Sequence, residues 1–169
     1  YLSSAASDVY KRQRLPHEPV EERQARVDRV IHKLGLGERR NVRVSSLSGG
    51  QRKRVNVGVE LLSNPTVLFA DEPTSGLDPA HQLSLLELFR AKARAGMAIV
   101  LSMHDLHLAA RFSDRICLLS EGRTAALGKP AEILTRANIR AVYGCDAVIA
   151  ETPAGLAFLP VLARDASSP

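Results

Sequence analysis

The chain has no tryptophan, and aromatic residues make up only 4% of its 169 positions. That weakens any reading that needs flat side chains for stacking nucleic-acid bases. Cysteine is almost as scarce: Cys117 and Cys145 stand in unrelated contexts without metal-ligand spacing. A disulfide scaffold is excluded, and with no signal peptide ahead of the domain a reducing cytosolic setting is expected. Long apolar runs are missing too. The longest, such as Thr66 to Ala70 and Met97 to Leu101, fall far short of the roughly 20 residues that a membrane-spanning helix needs.

The residues that are present suit one globular domain of ordinary size: 45% hydrophobic and 24% charged, a balance that rules out disorder as the default state. The formal net charge of +5 is unevenly placed. From Arg14 to Arg54 there are 11 basic and 5 acidic side chains, net +6, whereas from Val55 onward 10 basic residues face 12 acidic ones, net −2. Such a segment suits either a solvated helical surface or a face turned towards phosphate. Residues 1–13, YLSSAASDVYKRQ, carry no periodicity leading into the first helix. They read as a non-native, adaptor-derived stretch and are set aside.

Along the chain, Val27, Val30, Ile31 and Leu34 recur at helical spacing and Gly35 comes next as a stop, which predicts an amphipathic helix over 20–34. Ser48 precedes two glycines, and Gln51 to Leu62 reads as a largely buried helix ended by Asn64-Pro65. Thr66 to Ala70 is short, apolar and β-rich, the pattern of a strand buried on both faces of a parallel sheet. A helix from Pro79 to about Ala95 and a second apolar strand, Met97 to Leu101, complete a β-α-β unit. Beyond it lie a short helix over 106–112, strands over 115–119 and 124–127 about a Glu121-Gly122 turn, a short helix from Pro130 to Leu134 and a closing hairpin, 147–150 with 156–159. This alternation predicts a three-layer α/β domain.

Four places carry chemistry. Leu47-Ser48-Gly49-Gly50-Gln51 stands immediately before a helix, where unpaired backbone amides and partial positive charge favour an anion and glycines admit it closely. Ser48 is equally an ordinary N-cap. Arg52, Lys53 and Arg54 come directly after, an arrangement that opposes the helix dipole unless an anion is near, and that otherwise reads as a solvated basic face. Asp71 and Glu72 end the first strand; adjacent carboxylates can divide the work of phosphoryl transfer to water, one holding Mg²⁺ and the other orienting the water. Ser75-Gly76-Leu77-Asp78 is by itself a turn, and His104 closes the second strand, near the acidic pair if the two strands are neighbours. His107 has no evident partner in this pattern.

In this order and spacing LSGGQ (47–51), VLFADE (67–72), SGLD (75–78) and His104 resemble the ATP-binding cassette family over Arg14 to about Leu159. The resemblance implies an α/β fold of the P-loop NTPase type. Residues 14–63 would be part of the helical subdomain with the signature motif, 64–163 the C-terminal part of the ATPase core with its parallel sheet, and 164–169 a loose tail. It also implies roles: Ser48, Gly49 and Gly50 contact the γ-phosphate of ATP with Gln51 beside them, and Asp71 supports Mg²⁺. Glu72 is the catalytic base, Asp78 couples two sites across a dimer, and His104 holds the γ-phosphate.

The portion from His104 onward, HDLHLAARFSDRICLLSEGRTAALGKPAEIL, looks like importers of ferric siderophores, haem and cobalamin, whereas residues 51–78 are also similar to exporter cassettes. The import reading implies transmembrane permease subunits, a second ATP-binding subunit in a homodimer and, indirectly, a periplasmic or surface substrate-binding protein. It implies a peripheral place on the cytoplasmic face of the plasma membrane and no nucleic-acid partner. The alternatives are an exporter cassette fused to transmembrane helices, a non-transport cassette acting on ribosome or DNA, and a regulatory module that uses only the signature face. A Walker A loop, GxxxxGK[ST], does not occur; the single Gly-Lys pair, Gly128-Lys129, runs into Pro130. The family's first half is therefore expected to lie outside these residues, leaving the chain alone without ATPase activity.

Overall fold

The computed structural model describes residues 19–153 and 155–161. The segment 1–13 and the tail 164–169 lie outside them, as does Ala154 of the closing turn. The chain divides after Met103 into two units.

In the first unit, helix α1 spans Val20–Lys33 and buries Val27 and Ile31. Glu21 and Glu22 lie in its first turn, His32 and Lys33 in its last, the order that suits the helix dipole. Helix α2 spans Gly49–Leu62, starting two residues before the predicted Gln51 because Ser48 caps it. The two helices pack together at Gly58, where a Cβ would lie 2.7 Å from Leu34 Cδ1 and 3.2 Å from Val30 Cγ1. A side chain there would have to displace the Leu34 and Val30 methyl groups.

Strand β1 (Val67–Asp71), helix α3 (Pro79–Arg94) and strand β2 (Ala98–Ser102) form the predicted β-α-β unit. The strands pair in parallel from Val67 opposite Ala98 to Asp71 opposite Ser102. One expectation is corrected. The apolar run is covered on one face only: Leu68 is buried, while Phe69 is 75% exposed, Val100 52% and Val67 46%. Side chains alternate across a strand, and α3 packs against this sheet with Leu85, Leu86, Leu88 and Phe89 buried. The other face carries apolar residues to solvent.

In the second unit, helix α4 (Leu106–Phe112) precedes strands β3 (Ile116–Ser120) and β4 (Arg123–Gly128), an antiparallel hairpin with a bulge at Leu118/Leu119. Glu121 and Gly122 both have positive φ, +50° and +72°, as a tight two-residue hairpin turn requires. Helices α5 (Pro130–Ile133) and α6 (Arg136–Tyr143) lead to the antiparallel pair β5 (Asp146–Thr152) and β6 (Gly155–Val161). Helix α6 packs on β5 and α4 on β6, with Ile139 and Ala147 fully buried. Among the described residues, then, parallel pairing is confined to β1 and β2. No helix among them is long and apolar enough to cross a membrane.

Candidate nucleotide site

The signature turn is built by reciprocal capping. Ser48 Oγ accepts from the Gln51 amide at 3.3 Å, and Gln51 Oε1 accepts from the Ser48 amide at 3.0 Å. The capping reading of Ser48 is thus realised. It does not exclude an anion, because the first amides of a helix have no intrahelical acceptor. Space around Gly49 is open, whereas a Cβ on Gly50 would lie 2.9 Å from both the Gly76 carbonyl oxygen and Leu77 Cδ2. The signature turn and the SGLD loop therefore touch at a glycine.

Each of the three cations of α2 reaches a backbone carbonyl, with Arg52 exposed, Lys53 half-buried and Arg54 buried. Arg52 Nη1 donates to the Leu47 carbonyl at 2.9 Å, Lys53 Nζ to the Glu72 carbonyl at 3.3 Å, and Arg54 Nη1 to the Leu34 carbonyl at 2.9 Å. Arg54 is only 7% exposed, and burial holds its pKa below the ordinary arginine value despite the opposing pull of Asp78. With α2 starting at Gly49, Arg52 closes the first turn and Lys53 and Arg54 sit beyond it, where the penalty from the dipole fades.

Parallel pairing brings the ends of β1 and β2 together. Ser102 Oγ donates to Asp71 Oδ1 and accepts from the Glu72 amide at 2.9 Å; that amide also reaches the Ser102 carbonyl at 3.2 Å. Glu72 has a φ of +41°, a left-handed conformation that costs a non-glycine residue about 1 kcal/mol or more. Contacts on both sides hold it there, since its carbonyl accepts from the Ser75 amide at 3.1 Å and from Lys53. The turn thus aims the side chain that follows Asp71 away from the path of a regular strand. Ser102 is a site residue that sequence reasoning does not single out. Its signal lies only in the pairing register, which sets it opposite Asp71.

Asp78 caps α3, accepting from the His81 amide at 3.0 Å and pairing with the His81 ring. Those hydrogen bonds, the backbone one foremost, hold its carboxyl below the usual carboxylate range. The residues singled out from Ser48 to Asp78 thus all lie in the first unit. His104 opens the second, exposed and directly before Asp105, which caps α4 by accepting from the Leu108 amide at 2.9 Å.

Among the described residues no three histidine, cysteine or carboxylate side chains cluster as a dedicated metal cage. Magnesium commonly takes one or two carboxylates and completes its shell with water and substrate phosphate. Asp71, exposed at the strand end and oriented by Ser102, fits such a role.

Residues 3–75 match the ABC transporter family. The chain is 37% identical over 150 residues to the hemin import ATP-binding protein HmuV of Bradyrhizobium diazoefficiens, an alignment covering 84% of this chain and 56% of that protein. It is 36% identical over 154 residues to HmuV of Rhodopseudomonas palustris strain BisB18, covering 86% and 57%. The chain thus spans little more than half the length of these curated relatives. Among solved structures, a metal-chelate type ABC transporter in an inward-facing conformation superposes with a TM-score of 0.74 at 23% identity, over 95% of this chain and 69% of that one. CbiO1 of Clostridium perfringens, part of the cbiONQ transporter complex, superposes with a TM-score of 0.62 at 26% identity, over 80% and 56%. The matched segment, the run of motifs from Leu47 to His104 and an α/β fold like that of ABC ATPase structures tie this chain to the ABC transporter family.

Proposed function

We propose that the chain is the C-terminal part of the ATPase subunit of an ABC transporter that powers import of a metal chelate, with haem the leading candidate. One observation carries the reading: the glycine-bearing start of α2, the Asp71-Glu72 strand end and the Asp78 loop are knit into one unit by Lys53, Ser102 and the Gly50-Gly76 contact. The hemin-import names of the relatives support haem.

In a pair of complete cassettes, the amides of Ser48, Gly49 and Gly50 of one cassette donate to the γ-phosphate of the ATP held by the other, with Gln51 alongside holding the turn. Asp71 holds Mg²⁺, which when bound neutralises charge on the transferring phosphate. Glu72, displaced from the strand axis by its backbone, accepts a proton from the attacking water and orients it. His104 donates to the γ-phosphate, and Asp78 relays the state of one site to the other across a dimer of cassettes. Closure and reopening of that dimer drive the permease subunits, and the substrate reaches them from a periplasmic or surface binding protein. The subunit lies on the cytoplasmic face of the membrane.

The test uses the complete cassette. Changing Glu72→Gln should cut Mg-ATP turnover by about 100-fold or more while leaving nucleotide binding in place. An undiminished rate would end the assignment of Glu72. Reconstituted with its permease in liposomes, the wild type should accumulate haem only with ATP inside the nucleotide-accessible compartment; accumulation of another chelate in preference to haem overturns the substrate.

A further inference from the structure

Arg54 has no part in the proposed reaction, yet it is the one described residue that buries a side-chain nitrogen without a hydrogen-bond partner, its Nε. A buried guanidinium is costly unless its surroundings give something back, and an apolar side chain of similar volume would pack there without that cost. Its surroundings are specific. Nη1 donates to the Leu34 carbonyl at the end of α1, and the same nitrogen lies 3.2 Å from where a Cβ on Gly35 would stand, a point also 3.6 Å from the His81 ring. His81 in turn pairs with Asp78, the carboxylate whose charge acts on Arg54. Arg54 also stands four residues beyond Gly50, hence on the same face of α2, and Gly50 is the residue in contact with Gly76 and Leu77. One face of α2 therefore touches the Asp78 loop at Gly50 and comes near the His81-Asp78 pair at Arg54.

We infer that Arg54 is a positioning residue: its buried guanidinium holds the Ser48-Gly50 turn in fixed register with the loop carrying Asp78, so that the two nucleotide-facing motifs move as one block. The inference rests on the proposed ATPase function. A hydrophobic core position would stabilise α2 without that link; a cation beside the His81-Asp78 pair supplies attraction with a direction.

The experiment is a double-mutant cycle on turnover by the complete cassette, with Arg54→Met and Asp78→Asn alone and together. Asparagine still caps α3, so Asp78→Asn removes charge while keeping the helix start. Each single change is expected to lower kcat by about fivefold or more, and the double variant should fall no further than the worse single one. Multiplying losses, or an Arg54→Met enzyme that melts lower yet turns over at the wild-type rate well below its melting point, would make Arg54 structural only and overturn the inference. Should Arg54→Met fail to fold, Arg54→Lys, which keeps a cation for the Leu34 carbonyl, enters the same cycle. A smaller loss that vanishes in the Asp78→Asn background supports the link, and an independent loss refutes it. A wild type without Mg-ATP turnover defeats the ATPase reading itself, whereas an active wild type with uncoupled losses defeats only the role of Arg54.

Discussion

At Ser48 two readings of one residue coexist. The hydroxyl is spent on a capping box with Gln51, and what an anion could meet is the backbone behind it. The cations after Gln51 are visible in sequence as a broken local rule, but its resolution is not. Arg52 reaches the nearby Leu47 carbonyl, but the acceptors of the other two lie far along the chain, Leu34 for Arg54 and Glu72 for Lys53, and no local pattern encodes such partners. Without the family resemblance Asp78 reads as the end of a turn; the His81 amide and ring, one helical turn on, give it a capping task. That task has a pH signature. Because these hydrogen bonds lower the Asp78 pKa in the folded state, the carboxylate contributes stability above the ordinary carboxylate range and loses it as pH falls through the lowered value. Replacing Asp78→Ala in the complete cassette should therefore lower the urea midpoint near neutrality, with the gap to wild type closing below about pH 4. A gap that persists in strong acid would mean that the charge of Asp78 is not what the cap uses.

Element by element, the strands and helices predicted from periodicity recur within a residue or two, because caps and turn residues mark their ends: Ser48, Asp78 and Asp105 at starts, Gly96 with φ +97° beyond an end. Helix α6 is absent from the sequence reading although Thr135, which accepts from the Asn138 amide at 3.2 Å, and Gly144 with φ +67° delimit it. Burial is the less legible property. A continuous apolar run says that a strand is made to be covered on both sides, not that the cover lies within the same residues. Here the Leu68 side is packed and the Phe69-Val100 side is not. Exposed apolar faces of this kind favour association. The isolated 169-residue chain should sediment as a mixture of oligomers. Phe69→Ser should shift it towards monomer, while Leu68→Ala, which truncates a buried side chain at about 2–5 kcal/mol, should unfold it. A wild-type chain that runs as a monodisperse monomer with a sharp melt would show that this face needs no cover.

For the molecule as a whole, the decisive quantity is how much of a nucleotide site 169 residues can supply. The sequence holds no GxxxxGK[ST] loop, and the chain spans 56% of the Bradyrhizobium relative. On the proposed roles, these residues offer a triphosphate one helix start, two neighbouring carboxylates that bind only through a cation and, from the second unit, an exposed histidine. A helix terminus contributes at most about 2 kcal/mol towards an anion in favourable, partly buried geometry, and the signature turn is exposed. A micromolar complex requires about 8 kcal/mol. Even granting a charge-assisted hydrogen bond from His104 at about 1.5–3 kcal/mol, the sum stays several kcal/mol short. Calorimetric titration of the isolated chain with Mg-ATP should accordingly give no micromolar site and no turnover, and supplying the preceding part of the cassette should restore both. A micromolar isotherm from the 169 residues alone would mean that the phosphates are gripped by groups other than those at Ser48, Asp71 and His104, and the division of labour derived from them would have to be redrawn.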